Sequence, residues 1–214
     1  MKKKMFEKNP ARMKIVQTAF DLFHQKGIHA TSIDEILAGS GTGKSQFYYY
    51  FKSKDGVIHA VLQYFYEMLK GGLLPGKHTI ESWEDLENWL RFFIAFQQEI
   101  GCERSCPVGT IGNDLSNDQE LLRQDVRLIF QWMRHSLACF FSNLKAKGEM
   151  MPSVDPESLA DFCFVIMQGG MLVGKIQRET TSFENAVAHA LAYLESLRKV
   201  SLKRARKRKL ASRT

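Results

Sequence analysis

The stretch AGSGTGKSQFYYYF at residues 38–51 carries glycines, a lysine and a serine at spacings that suit phosphate binding. A nucleotide-binding loop, GxxxxGK[ST], cradles phosphates with backbone N–H groups and follows a buried parallel strand. Its first glycine would fall where this sequence has Ala38. The preceding SIDEIL places Asp34 and Glu35 in mid-segment, and burying two carboxylates in a strand is costly. Nucleotide binding is therefore a remote alternative.

The same residues fit two short helices joined by a tight turn. We predict one helix at residues 32–38, a turn at residues 39–41 and a second helix at residues 43–51. Gly41 supplies the positive φ that such a turn requires. One side of the second helix is apolar and carries Phe47, Tyr50 and Phe51. The opposite arc carries Lys44, Ser45, Tyr48 and Tyr49, with Gln46 near its boundary.

This polar arc suits the major groove of duplex DNA. We predict that Lys44 and Gln46 read base edges. Tyr48 and Tyr49 are predicted to bond phosphate or stack on sugar, and Lys54 to add a phosphate contact. The alternative is an ordinary helical hairpin with solvated polar groups. The full predicted DNA-binding set is Ser32, Lys44, Ser45, Gln46, Tyr48, Tyr49 and Lys54.

The distribution of charge favours DNA as the partner. Residues 1–54 carry 10 Lys or Arg against 4 acidic residues, and residues 55–202 carry 13 against 19. Residues 203–214 carry 7 Lys or Arg and no acid, which predicts a basic, disordered tail that is either merely solvated or attracts DNA non-specifically. A basic end on an acidic body is expected when that end meets a polyanion, although solvated lysines are the simpler alternative.

Residues 11–58 resemble the DNA-binding domain of the TetR/AcrR family of bacterial transcriptional regulators. The family's turn glycine, polar helix start and aromatic helix end appear here as Gly41, Lys44, Ser45, Phe47, Tyr48, Tyr50, Phe51 and Lys54. The sequence departs from the family at Thr42, where a buried aliphatic residue is common, and at Gly43, where a capping serine is common. The resemblance implies a homodimeric repressor that binds an operator and is released by an inducer. Two-fold symmetry would make that operator a palindrome.

Helical periodicity along the whole chain predicts an all-α fold. We divide it into a three-helix helix-turn-helix domain (1–54), a helical effector-binding and dimerisation domain (55–202), and the basic tail (203–214). A helix from residue 55 to about residue 70 connects the first two. Later helices are predicted at about residues 82–100, 118–146, 156–177 and 183–200, with a loop at 101–113.

The helix at residues 156–177 is almost wholly apolar across Phe162 to Val173, which suggests that a partner subunit covers part of it. No apolar run approaches the roughly 18–20 residues of a membrane-spanning helix, and the N-terminus lacks a signal-peptide core. We therefore predict a cytoplasmic protein without a membrane partner.

The segment GCERSCPVG contains Cys102 and Cys106. Pro107 is predicted to end any helix there, which leaves the sulfurs near a loop, and Arg104 is predicted to lower a thiol pKa. A similar segment occurs in a subset of the family, which implies an oxidant or electrophile sensor acting mainly through Cys106. Structural packing is the simpler reading, and a zinc site lacks ligands.

An ordinary inducer would need an apolar pocket between the middle helices. The predicted lining is Trp89, Phe93, Phe96, Phe130 and Trp132, each of which also suits a plain core. The sequence has no recognisable catalytic constellation and no metal-ligand motif, so we predict neither enzymatic activity nor a cofactor.

Overall fold

A computed structural model describes residues 9–76 and 79–199, and those ranges contain nine helices. They are α1 (Pro10–Lys26), α2 (Ile33–Ser40), α3 (Lys44–Phe51), α4 (Lys54–Lys70), α5 (Trp83–Glu99), α6 (Pro107–Asn113), α7 (Glu120–Ala146), α8 (Pro156–Gln177) and α9 (Thr181–Ser196). The all-α prediction is confirmed. Among these residues, one isolated antiparallel β-bridge joins Met150 to Arg198. The predicted tail and residues 1–8 lie outside the described residues.

Helices α1 to α4 pack around one end of the hydrophobic core. Phe23 on α1, Ile36 on α2 and Phe47 on α3 are completely buried there. The helices α1 and α2 approach closely at Gly39, because a Cβ at that position would lie 2.8 Å from the methyl carbon of Thr18. These contacts hold α3 by its apolar side and leave its other side to solvent.

The rest of the chain is a helical body in which α8 packs against α5, α7 and α9. Two adjacent glycines on α8 lie in different surroundings. A Cβ on Gly170 would lie 2.0 Å from the ring of Phe183, so this glycine permits close packing of α8 on α9. Gly169 is exposed, and a Cβ there would meet nothing within 4 Å. Only Gly170 therefore serves the internal core.

Several predicted helix boundaries need correction. The predicted loop at residues 101–113 contains α6, which begins at Pro107 instead of being excluded by it. Proline suits the first position of a helix because the missing N–H would have no intrahelical partner. Helix α2 extends to Ser40, so the turn begins only at Gly41. Helix α7 begins at Glu120 without a side-chain cap.

Helix α8 is also an exception to the expectation that no segment could span a membrane. By length and composition it is long and apolar enough to do so. Core helices of soluble proteins pass the same test, and the inner side of α8, including Cys163 and Met167, is completely buried in this protein. The apolar character of α8 thus has a source in packing.

Candidate DNA-binding site

The N-terminus of α2 is closed by a reciprocal capping box. The Oγ of Ser32 accepts from the backbone N–H of Glu35 at 3.2 Å, and the Glu35 carboxylate accepts from the backbone N–H of Ser32 at 2.8 Å. A bond from Lys26, followed by those from Ser32, lowers the pKa of Glu35 to about 2. The Ser32 hydroxyl also donates to Glu35. Ser32 is a predicted DNA-binding residue, and any contact between its hydroxyl and DNA would have to compete with its bonds to Glu35.

The turn between α2 and α3 depends on the left-handed backbone of Gly41. This residue has φ 63° and ψ 34° and closes α2 through bonds to the carbonyls of Ala38 and Leu37. The next residue, Thr42, is half-buried, and its hydroxyl lies 2.7 Å from that of Ser40. That bond lets a polar residue occupy a position where the family commonly has an aliphatic one.

The two glycines of this turn permit a matched test. Gly41→Ser is expected to lower the free energy of unfolding by about 1–2 kcal/mol, because an L-residue is strained in the left-handed region. Gly43→Ser is expected to raise it by a few tenths of a kcal/mol, because Gly43 has extended backbone and currently caps α3 without a side chain. A Cβ at either position meets nothing within 4 Å, so crowding does not distinguish them. Urea denaturation measures both variants, and equal losses would contradict the backbone argument.

The polar face of α3 is exposed, and so are all five of its predicted DNA-binding residues. Tyr49 is 73% exposed and Tyr48 is 46% exposed, whereas Phe47 and Phe51 on the other side are buried. Ser45 and Gln46 extend the exposed face along the first turn of α3. The helix therefore presents two phenols, one hydroxyl, one amide and one cation together.

The Lys44 ammonium has a neighbour that the sequence reasoning did not identify. Its Nζ lies 3.1 Å from a carboxylate oxygen of Asp34 on α2, and both side chains are largely exposed. An exposed pair of this kind contributes about 0–1 kcal/mol, so a phosphate can displace the carboxylate at small cost. Asp34 therefore pairs with Lys44 without burying it.

Two further lysines lie between α3 and α4. Lys54 is half-buried at the first position of α4. Lys52, which we did not predict as a site residue, is exposed in the turn, and its Nζ lies 5.8 Å from the centre of the Tyr49 ring. Lys52 lies three positions after Tyr49, and this spacing could have indicated in the sequence that the two side chains are neighbours. Lys52 adds a cation beside Tyr49, which is largely exposed.

The cysteine segment is more enclosed than the sequence suggested. Cys102 and Cys106 are both 3% exposed and are free thiols. Burial raises the pKa of Cys106, although bonds from Gly109 and Gln168 oppose that effect. The predicted lowering of that pKa by Arg104 is wrong for Cys106. The thiol instead caps α6, accepting from the Gly109 N–H at 3.4 Å.

The five aromatic residues predicted to line a pocket are distributed over several contacts. Trp89 packs on Phe93, with ring centres 5.0 Å apart. Phe96 stacks on Phe92, Phe130 packs on Phe164, and Trp132 is half-buried. Two clefts of about 490 and 550 Å³ lie instead between α5 and α9, and none of the five lines either of them. The pocket remains a prediction.

Comparison with known proteins identifies the class of regulator to which this helix-turn-helix arrangement belongs. Residues 15–61 match the model of bacterial regulatory proteins of the tetR family, and residues 83–190 match a tetracyclin repressor-like C-terminal domain. The chain therefore belongs to the TetR family of transcriptional regulators. The resemblance is confirmed, and the protein is a DNA-binding helix-turn-helix regulator of a family that is not enzymatic.

Individual relatives agree with this assignment. The chain is 26% identical over 174 residues to the HTH-type transcriptional repressor DhaR of Mycobacterium sp. strain GP1, covering 80% of this chain and 85% of that protein. It is 26% identical over 171 residues to the transcriptional regulator AcuR of Cereibacter sphaeroides, covering 78% and 77%. A TetR transcriptional regulator from Chloroflexus aurantiacus shares the fold, with a TM-score of 0.73 at 24% identity, covering 89% of this chain and 97% of that one.

Proposed function

We propose that this regulator binds a palindromic operator as a homodimer in the cytoplasm, represses transcription there and is released by a small-molecule inducer. Residues 1–54 act as the DNA-binding domain and residues 55–202 as the effector-binding and dimerisation domain. The observation that carries the proposal is the exposed polar face of α3, backed by a buried apolar side. The name of DhaR as a repressor supports repression as the mode of action.

The outer face of α8 supports the dimer. Val165 is 64% exposed and Ile176 is 73% exposed, and Leu172 lies between them at helical spacing. Gly169 lies in the same stripe and leaves room for the close approach of a second helix. A stripe of large apolar side chains around a glycine is typical of an interface and unfavourable in contact with water.

A two-fold dimer would present two α3 helices to successive major grooves, so the operator would contain two inverted half-sites. An inducer that binds more tightly to a dimer whose two DNA-binding domains are wrongly spaced for the operator would lower operator affinity. The loss equals the difference in the inducer's binding free energy between the two conformations. The predicted lining of its pocket remains Trp89, Phe93, Phe96, Phe130 and Trp132.

The alternative function is a thiol sensor acting through Cys106. It is disfavoured because burial raises the pKa of that thiol and opposes formation of the reactive thiolate.

The proposal is tested by operator selection from genomic fragments. We expect the protein to retain a short palindromic sequence at about 0.15 M salt, bound at least about a thousandfold more tightly than random DNA of equal length. Footprinting then locates the two half-sites. Retention of all fragments to the same extent would contradict the operator function, because electrostatic attraction alone does not discriminate sequence.

A further inference from the structure

One short segment of the body bonds to the proposed DNA-binding domain (residues 1–54), which we call the head, and to two body helices. We call residues 104–106 the coupling turn. The Nε2 of His24, on α1 of the head, donates to the carbonyl of Ser105 at 2.8 Å. The Nε2 of Gln97, on α5, donates to the carbonyl of Arg104 at 2.9 Å. The Nε2 of Gln168, on α8, donates to the Sγ of Cys106 at 3.5 Å.

The buried side chain of Gln97 has one polar atom, Oε1, without a hydrogen-bond partner among the described residues. Gln97 as a whole is completely buried. Unpaired polar atoms are rare in protein interiors, because they lose their bonds to water without replacement. The amide nitrogen of this side chain bonds to Arg104, so a small rearrangement of Gln97 that satisfies Oε1 would act directly on the coupling turn.

His24 links the same turn to the head in a buried setting. Burial lowers the pKa of His24 below its ordinary value of 6.5, and the bond to Ser105 only partly opposes this. The charged groups that face the ring are Asp21 on α1, which favours protonation, and Arg104 in the turn and Lys175 on α8, which disfavour it. The ring is therefore neutral at pH 7 and donates to Ser105 through its single N–H.

We propose that the coupling turn sets the orientation of the DNA-binding head on the body, with His24 as the positioning residue, and that displacement of Gln97 reaches α3 through it. Adjacent carbonyls of one three-residue segment are bonded to α5 and to α1, so a shift of Gln97 that pulls on the first carbonyl also acts on the second. A second head contact lies close by, where the Asp114 carboxylate accepts from the Ile28 N–H at 2.8 Å. This inference rests on the proposed operator function, whose regulation it describes.

The test combines operator affinity with hydrogen exchange of α1 in the DNA-free protein. Gln97→Leu, His24→Leu and the double variant form a cycle, and His29→Leu, an exposed histidine of the head, is the matched control. We expect each single substitution to lower operator affinity roughly tenfold and to speed hydrogen exchange in α1. The double variant should bind the operator no more weakly than the weaker-binding of the two single variants. His24→Gln, which keeps a donor, should restore most of the affinity. If His24→Leu does not fold, His24→Asn, which is too short to reach Ser105, replaces it.

The outcomes separate this inference from the function on which it rests. Additive effects of the two substitutions, or unchanged α1 exchange in Gln97→Leu, would overturn the coupling. Altered α1 exchange with no operator preference even in the unsubstituted protein would support the coupling and overturn the operator function. A pH series adds an independent readout. Since the pKa of His24 is lowered on folding, its contribution to stability is complete above pH 6.5 and declines as the pH falls below that value. His24→Gln should lack that decline.

Discussion

Replacing Val165 by arginine is expected to convert the protein to a monomer and to lower operator affinity at least about a hundredfold. In the proposed dimer, the two-fold axis would bring both copies of the new cation into an apolar interface. An uncompensated buried charge costs about 3–5 kcal/mol, which corresponds to a factor of roughly a hundred or more in dissociation constant. Because Val165 is largely exposed in the single chain, the fold itself should be unaffected. Sedimentation equilibrium measures the change.

A control and a second variant distinguish a loss of dimer from a loss of fold. Leu128→Arg makes the same change at a 43% exposed position on α7, and it should leave the dimer intact. Gly169→Leu should stabilise the isolated chain by about 1 kcal/mol through helix propensity, yet block the approach of a second α8. A Val165→Arg protein that still sediments as a dimer would show that another surface mediates association.

Substituting Lys44 by alanine should weaken operator binding about thirtyfold, whether Lys44 reads a base edge, as the sequence predicts, or contacts phosphate. A dimer loses the contact twice, so about 1 kcal/mol per half-site gives about 2 kcal/mol in total. If the contact is to phosphate, the slope of log affinity against log salt falls by about 2 in magnitude. If Lys44 instead reads a base, the slope stays constant and sequence preference relaxes at one position of each half-site. Titrations at several salt concentrations separate the two.

The ion pair of Lys44 provides a test of opposite sign. Asp34→Asn should raise operator affinity a few-fold, because the carboxylate competes with DNA for the ammonium and repels phosphate. The control for Lys44→Ala is Lys147→Ala, at the exposed C-terminal end of α7. It removes one positive charge from the body, as Lys44→Ala does from α3, and should change operator affinity little. Equal losses from Lys44→Ala and Lys147→Ala would mean that the effect of Lys44 is only that of net charge.

Signals within a few residues of one another were reliable in this sequence. The three-residue spacing of Ser32 and Glu35 is the signature of the capping box that closes α2, and Gly41 predicted the left-handed turn. The spacing of Phe47 and Phe51 predicted which side of α3 is buried. Each of these depends on the backbone geometry of a single turn or helix, and that geometry is local.

Contacts between distant segments had no such signal. Asp34 reaches Lys44 only because the turn folds α3 against α2, and His24 reaches Ser105 across 81 positions of sequence. Pro107 begins α6, although proline was expected to end a helix, and the buried Cys106 caps that helix through a contact that its sequence position did not reveal.

The sequence by itself determined the helical class, the helix-turn-helix and the polar face of α3, because periodicity, capping and turn chemistry are properties of neighbouring residues. Only the tertiary structure decided which thiols are enclosed, which of Gly169 and Gly170 faces the core, and how α1 is bonded to the body. Those outcomes depend on what packs against each residue, and a helix pattern does not specify its neighbour.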